Sequence, residues 1–195
     1  MKLKRNFYER NTLTVAKELL GKNLIHNTSE GTTTGKIVEV EAYIGPLDAA
    51  AHTFRGKRSS RNEVAFGLGG YAYVYLIYGM YHCFNIVTNV EEKPEAVLIR
   101  AIEPIDGIDL MKKRRKTDVI RNLCSGPGKL CQAMSITRET NGVDLCKSDV
   151  YVTENKDVDS KDIISTPRVN IDYAGEAKDY PWRYMIKDNK FISKK

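Results

Sequence analysis

Glu39, Glu41 and Tyr43 stand at alternate positions of one short segment and could support acid–base chemistry beside a planar ligand. The segment from residue 35 to 43 is rich in β-branched residues, which predicts a strand. Alternate residues of a strand lie about 7 Å apart on one face, so both carboxylates, the ring and Ile37 are expected to share a face. Two carboxylates there could transfer protons, bind a metal ion or pair with basic side chains, or simply be exposed on a solvated face.

The histidines and cysteines do not favour a metal site. His26, His52 and His82 are the three histidines, and none has zinc-ligand spacing to another histidine or to a cysteine. The four cysteines form no C-x-x-C pair, which argues against a zinc ribbon or a thioredoxin-like redox site. His52 lies in a basic loop, and its basic neighbours are predicted to lower the pKa of its ring and keep it neutral.

Residues 71–81 carry five of the eleven tyrosines and predict a β-hairpin. Tyrosine is common in strands, so a tyrosine-rich core would explain most of them. Tyr78 differs because it stands beside Gly79 at the predicted tip, where a core residue has little to pack against. An exposed ring there would suit wedging between bases or stacking on them. Asn85 follows on the return strand, where a buried amide could read the hydrogen-bonding edge of a base.

Positive charge is concentrated in two segments. The formal net charge is +6, and residues 112–129 hold seven basic residues against one acid. Residues 55–63 add four basic residues against one acid. A solvated helix face would explain one isolated run, but two runs on either side of an aromatic segment favour nucleic acid as the partner. The turn at 125–129 is not a phosphate-binding P-loop, although its N–H groups and Lys129 could meet a DNA phosphate.

The elements that must position these residues predict an α+β fold. The 195 residues suffice for one domain with a sizeable core. No segment has the length and apolarity of a membrane span and no signal peptide is evident, so a reduced, cytoplasmic protein is expected. The predicted elements are a helix over 13–20 capped by Asn11 or Thr12, a polar hairpin loop at 27–35, strands at 24–25, 35–43, 71–77, 81–90, 96–102, 150–152 and 168–173, and helices at 107–115 and 129–134.

Nine blocks of the sequence resemble the alkyladenine DNA glycosylase family, the mammalian type of 3-methyladenine DNA glycosylase. They follow the family's order from Phe7 to Tyr184, so the resemblance covers nearly the whole chain. The long N-terminal extension of the mammalian members is absent, as expected of a compact bacterial member, and residues 64–70 match loosely. The blocks are residues 41–46, 50–52, 61–62, 73–81, 98–104, 125–133, 167–169, 173–176 and 181–183.

The resemblance implies one domain over residues 1–195, built on a curved antiparallel sheet of open-barrel, Greek-key-like form with flanking helices and a protruding hairpin. It implies a monofunctional DNA glycosylase without metal, cofactor or lyase activity. Such an enzyme flips damaged purines out of duplex DNA and hydrolyses the N-glycosidic bond, which starts base excision repair. The implied substrates are 3-methyladenine and 7-methylguanine, with hypoxanthine and ethenoadenine as further candidates. The implied partner is double-stranded DNA of the bacterial nucleoid, bound by a monomer.

The matching positions also imply a role for individual residues. Glu41 would activate the attacking water, and Arg100 would hold that water and a phosphate near the scissile sugar. Tyr78 would enter the duplex through the minor groove and fill the gap left by the flipped nucleotide. Asn85 would exclude guanine through its exocyclic amine. The base pocket would consist of Tyr43, His52, Tyr75, Asn85 and Ala42, and the DNA backbone would contact Gly79, Met80 and Lys129.

Two other functions remain compatible with the residues taken by themselves. One is a Mg²⁺-dependent nuclease that uses Glu39 and Glu41 as ligands, and strand cleavage by it would stop in EDTA. The other is a non-catalytic nucleic-acid-binding module, in which Tyr78 stacks on bases and the basic runs follow the phosphates. Base release from an alkylated duplex separates the glycosylase from both.

Overall fold

The structure, a computed structural model, describes residues 1–193, so the predicted domain end at residue 195 lies outside the described residues. Its main element is a curved antiparallel sheet that forms a half-barrel, which confirms the predicted α+β class. Among the described residues the sheet has eight strands. They are β1 (Asn23–Thr28), β2 (Gly31–Tyr43), β3 (Ala72–Ile77), β4 (Tyr81–Thr88), β5 (Glu95–Asp106), β6 (Val150–Thr153), β7 (Ile163–Thr166) and β8 (Arg183–Ile186).

Strand β2 is the centre of the sheet. One edge pairs with β5 along nearly its whole length. The other edge pairs with β1 over residues 31–36 and with β8 over residues 39–41. Both edges of the segment that carries the two glutamates are therefore occupied, and this segment is held on both sides by backbone hydrogen bonds.

Two bulges lie side by side where β2 meets β5. The register passes from Ile37 directly to Glu39 on β2, and from Ala101 directly to Ile99 on β5, so Val38 and Arg100 are the extra residues. A bulge re-aims the side chains beside it. The first bulge places Ile37 in the hydrophobic core. The prediction that Ile37 shares a face with Glu39 was therefore wrong, because it assumed unbroken alternation along the strand.

The helices cover one face of the sheet and enclose the core. The core contains Leu19 from the second helix and Ile99 from β5. That helix is capped by Asn11, whose side-chain oxygen accepts hydrogen bonds from the N–H groups of Leu13 and Thr14 at 3.1 and 3.2 Å. The helices are α1 (Arg5–Tyr8), α2 (Thr12–Leu19), α3 (Ile108–Arg115) and α4 (Pro127–Ala133), with 3₁₀ turns at Gly45–Leu47, Phe54–Gly56, Glu63–Phe66, Ile120–Asn122, Arg138–Thr140, Ser160–Asp162 and Gly175–Asp179.

Two expectations about local structure were wrong, and three short elements were missed. The predicted polar loop at 27–35 is mostly strand, because the turn between β1 and β2 contains only Ser29 and Glu30. Residues 168–173 form turns instead of the predicted strand, since the Arg168 guanidinium is used to fasten this segment to other loops. The short strands β7 and β8 and helix α1 were not predicted.

A buried ion pair fixes the loops above the sheet. Arg168 and Asp48 are joined by two hydrogen bonds, and neither side chain is exposed. Asp48 also accepts from the N–H groups of Ile44 and Ala50 at 3.1 and 3.0 Å. Arg168 donates to the carbonyl oxygen of Ala42 at 2.9 Å. One ion pair therefore connects the end of β2, the loop after it and the segment before β8.

We predict that Asp48→Ala lowers the free energy of unfolding by about 3–5 kcal/mol, because it leaves the buried guanidinium of Arg168 without its anion. Urea unfolding measures this change. The matched control is Glu18→Ala, which removes the carboxylate of the half-exposed pair with Arg10 and is expected to change the free energy of unfolding by less than about 1 kcal/mol. Equal losses in the two variants would contradict the role given to the buried pair.

Candidate active site

One row of residues crosses five strands on the face of the sheet that the helices leave open. Residues directly opposite each other in neighbouring antiparallel strands have their side chains on the same face. The row therefore brings together polar side chains that are far apart in the sequence. It consists of Tyr73 on β3, Asn85 on β4, Leu98 on β5, Glu41 on β2 and Arg183 on β8.

A cavity of about 560 Å³ opens over this row. Aromatic rings form part of its wall: the His52 ring lies 4.5 Å from the Tyr75 ring, centroid to centroid, and Tyr43 also lines the space. A flat heterocycle fits such walls through stacking. The predicted pocket residues Tyr43, His52, Tyr75 and Asn85 are thus brought together in one cavity.

Glu41 lies directly beneath the cavity wall and has no exposed surface. Its Oε1 accepts a hydrogen bond from the N–H of Val169 at 2.8 Å and lies 3.3 Å from Nη1 of Arg100. Its Oε2 accepts from the hydroxyl of Tyr43 at 2.9 Å. All three partners line the cavity. A carboxylate has about four acceptor positions, so one position on Oε2 is left.

Arg100 is shared between the two glutamates. Its Nε lies 3.3 Å from Oε1 of Glu39, and its Nη1 lies the same distance from Oε1 of Glu41. Burial lowers the pKa of Arg100, but the two carboxylates outweigh it and the pKa is raised, so the guanidinium stays charged. Because this cation lies between the two carboxylates, it would repel a metal ion that used both of them as ligands. Within residues 1–193, no group of three or more histidine, cysteine, aspartate or glutamate side chains could hold a metal ion.

His52 is a neutral ring on the cavity wall. Its Nδ1 lies 2.8 Å from the hydroxyl of Tyr73. Burial and, to a lesser degree, the positive charge of Arg61 lower the pKa of His52. The direction agrees with the prediction from sequence, but burial is the larger cause. A neutral imidazole beside a phenol can stack on a base without adding positive charge.

The phenols of the cavity are also held in their neutral form. Burial raises the pKa of Tyr43, and the negative charge of Glu41 raises it further. Burial likewise raises the pKa of Tyr75 well above its ordinary value and that of Tyr73 to about 12. The stacking surfaces of this cavity are therefore uncharged at neutral pH.

Asn85 is fixed at the floor of the cavity. Its Nδ2 donates to the carbonyl oxygens of Tyr73 at 3.0 Å and Cys83 at 3.4 Å. The side chain is 3 % exposed, so it has little freedom to swing aside. A rigid amide in this place limits which ring substituents fit against it.

The β3–β4 hairpin ends in a displayed aromatic ring. Tyr78 has a φ of 53°, which is uncommon for a residue other than glycine, and is 74 % exposed. It also lines the cavity mouth, whereas Gly79 and Met80 lie outside the lining at the exposed tip. Neither packing nor backbone preference favours a large ring at such a position, which points to a binding role.

The basic run at 112–116 has a more structural role than its charge suggests. Arg114 donates to Glu30, Thr28 and the carbonyl oxygen of Ala133, and these contacts hold α3 against its neighbours. Arg114 therefore uses its guanidinium within the protein. Arg115 and Lys129 do line the cavity, and the Nζ of Lys129 lies 3.5 Å from the hydroxyl of Ser125.

One predicted pocket residue lies elsewhere, and others were missed. The side chain of Ala42 packs in the core, its N–H donates to Trp182 and its carbonyl oxygen accepts from Arg168, so it does not line the cavity. Alternation along β2 places it on the face opposite Glu41. Sequence reasoning missed Leu98, Val169 and Tyr173 in the lining, since only the strand register and the loop contacts bring them there.

The sequence is similar to those of known proteins over nearly its whole length. The sequence model of the methylpurine-DNA glycosylase family matches residues 6–190. The chain belongs to the methylpurine-DNA glycosylase family. A relative from Alkaliphilus oremlandii, named "Putative 3-methyladenine DNA glycosylase", is 52 % identical over 203 residues, which covers 100 % of both chains. A relative of the same name from Clostridium acetobutylicum is 52 % identical over 201 residues and covers 99 % of this chain and 98 % of its own.

Family membership confirms the enzyme class expected from the sequence, a DNA glycosylase that acts in base excision repair. It also confirms DNA as the substrate polymer. In the part of the chain that the structure describes, no helix is long and apolar enough to cross a membrane.

We predict that Arg61→Gln raises the pKa of His52, because it removes the positive charge that helps to keep the ring neutral. Titration of the ring signals by NMR measures this, and Arg55→Gln in the same loop is the control expected to leave the pKa unchanged. An unshifted or lower pKa of His52 in Arg61→Gln would contradict the role given to the charge of Arg61.

The lowered pKa of His52 also predicts how this residue contributes to stability as the pH changes. In the parent protein the His52 ring binds a proton more readily in the unfolded chain than in the folded one, so its contribution makes the free energy of unfolding fall as the pH drops below about 6.5.

Proposed function

We propose that this glycosylase hydrolyses the N-glycosidic bond of methylated purines, 3-methyladenine and 7-methylguanine, with a water activated by Glu41. The observation that carries the proposal is the position of a carboxylate directly beneath a cavity that is lined by aromatic rings and large enough to admit a base, with an arginine beside it. The names of the two relatives support 3-methyladenine as a substrate.

Glu41 would act in two ways in the proposed reaction. As the bond to the base breaks, positive charge develops on the sugar, and a buried anion stabilises it strongly. The remaining acceptor position on Oε2 takes the proton of the attacking water. Since Tyr43 both stacks on the base and covers Oε2, a shift of its ring as the base enters would lift its hydroxyl and admit the water.

A base inside a duplex must first be turned out of the helix. This extrusion costs a few kcal/mol, and a stacked aromatic contributes about 1–3 kcal/mol per base in return. In the proposed complex Tyr78 fills the gap in the helix, while Tyr43, His52 and Tyr75 hold the extruded base. Gly79, Met80 and Lys129 lie at the tip and the cavity wall, where they would meet the DNA backbone.

The cavity would select damaged purines by charge and by shape. Methylation at N3 or N7 makes the purine cationic, and neutral aromatic walls attract cations through the ring quadrupole. The same cation is also a better leaving group than an unmodified base. The rigid amide of Asn85 would disfavour a purine with an exocyclic amine at C2 and so help to exclude unmodified guanine. 7-Methylguanine keeps that amine, and its release would rest on its positive charge, which makes it a far better leaving group. Hypoxanthine lacks the amine and is an additional candidate substrate.

Glu41→Gln is expected to lower the single-turnover rate of base release by about 10²–10⁴-fold, because the amide can neither take the proton nor stabilise the sugar cation. The assay uses a duplex with one 7-methylguanine and is run in EDTA, where the parent protein should keep its full rate. Binding of the lesion duplex by the variant should persist. Strand cleavage that EDTA abolishes would instead indicate a nuclease, and binding without base release by the parent protein would indicate a non-catalytic module.

Tyr78→Ala should weaken binding to a lesion duplex about tenfold, since a lost stacking contact of about 1.4 kcal/mol corresponds to a factor of ten. Binding to a single strand with the same lesion should change much less, because a single strand has no gap to fill. Tyr78→Phe keeps the ring and is the matched control. Equal losses on the two DNAs in fluorescence anisotropy titrations would argue against a wedge.

A further inference from the structure

A second carboxylate, that of Glu39, is buried beside the site without touching the cavity. It has no exposed surface. It accepts hydrogen bonds from the N–H and the hydroxyl of Ser193, and it pairs with Arg100 at 3.3 Å and with Arg183 at 3.4 Å. Burying a charged group is unfavourable unless donors surround it, and a hydrophobic residue at this strand position would avoid the penalty. The cluster therefore invites a functional explanation.

Glu39 and Ser193 contact nitrogen atoms of the Arg100 guanidinium other than the one that faces Glu41. The Nε of Arg100 points to Glu39, and Nη1 points to Glu41. The hydroxyl of Ser193 lies 3.4 Å from Nε and 3.3 Å from Nη2 of Arg100, and it donates to Oε1 of Glu39 at 2.9 Å. Several atoms of the planar guanidinium are thus held, and its rotation is restricted.

Without Glu39, the most favourable partner of Arg100 would be Glu41 alone. A guanidinium and a carboxylate prefer a two-pronged arrangement in which both oxygens accept. That arrangement would take the remaining acceptor position on Oε2 of Glu41. It would also neutralise the anion more completely. The bulge makes this rearrangement easier, because Arg100 is the extra residue there and its position in the sheet is not fixed by a cross-strand partner.

We propose that Glu39 is a positioning residue that holds Arg100 side-on to Glu41, with Ser193 as a bridge. This arrangement keeps one acceptor position of Glu41 available for the water. The inference rests on the proposed function and adds a requirement to it: the second glutamate acts only through Arg100.

Glu39→Gln is expected to lower the single-turnover rate of 7-methylguanine release by about 10²-fold, the size of effect that a small misplacement of a reacting group produces. The Kd for the lesion duplex should stay unchanged, because Glu39 touches no part of the cavity. The control is Glu103→Gln, which removes a partly exposed carboxylate from the same pair of strands, where it pairs with Lys36 at 2.7 Å. Its rate and Kd should match those of the parent protein.

Two further variants keep the test decisive if the buried change in Glu39→Gln prevents folding. Ser193→Ala removes the bridging hydroxyl but no charge, and it should lower the rate in the same direction without changing the Kd. The same change in an Arg100→Gln background should have no additional effect, because a residue that acts through Arg100 has nothing left to position. A merely structural role would lower the rate further in that background.

The outcomes separate this inference from the proposed function. Loss of rate in Glu39→Gln or Ser193→Ala, with no further loss in the Arg100→Gln background, supports the inference. Rates equal to that of Glu103→Gln, or additional losses in the Arg100→Gln background, overturn it while leaving the proposed function intact. A parent protein that releases no base, or a Glu41→Gln variant that is fully active, overturns the proposed function itself.

Discussion

A carboxylate with no exposure to solvent, that of Glu41, is the constraint on which the rest of this structure depends. A buried anion persists only when donors and cations surround it. Here they are the hydroxyl of Tyr43 on the same strand and two groups from distant parts of the chain, the guanidinium of Arg100 and the backbone N–H of Val169. The same three groups form the boundary between the carboxylate and the cavity, so the stability of the site and its proposed chemistry rest on the same contacts.

The sheet brings these groups together through its irregularities as much as through its regular pairing. Adjacent bulges at Val38 and Arg100 interrupt the regular alternation of side chains where β2 pairs with β5. As a result the side chain of Ile37 packs in the core, and the guanidinium of Arg100 lies near both glutamates. Next to these bulges the partner of β2 on its other edge also changes, because β1 pairs with residues 31–36 and β8 pairs with residues 39–41. The buried pair of Arg168 and Asp48 then fixes the segment that supplies the N–H of Val169.

Much of the fold and site could be predicted, but not the features that depend on distant contacts. The hairpin with Tyr78 at its tip and α2 with its Asn11 cap follow from local pattern. The resemblance also led to four side chains that line one cavity, those of Tyr43, His52, Tyr75 and Asn85. Alternation misplaced Ile37 because no residue type marks a bulge. Residue types alone equally allowed Glu39 to be exposed, since its partner Ser193 is 154 residues away. Ala42 was placed in the pocket although it faces the core.

The central claim is that the charge of Glu41 stabilises a sugar cation, and binding of a stable mimic of that cation tests it most directly. A duplex with a cationic pyrrolidine in place of the sugar resembles the transition state, whereas a neutral tetrahydrofuran ring does not. The account predicts that Glu41→Gln weakens binding of the pyrrolidine duplex by about tenfold or more, while binding of the tetrahydrofuran duplex is unchanged. Equal affinities of the parent protein and the variant for the pyrrolidine duplex would contradict it.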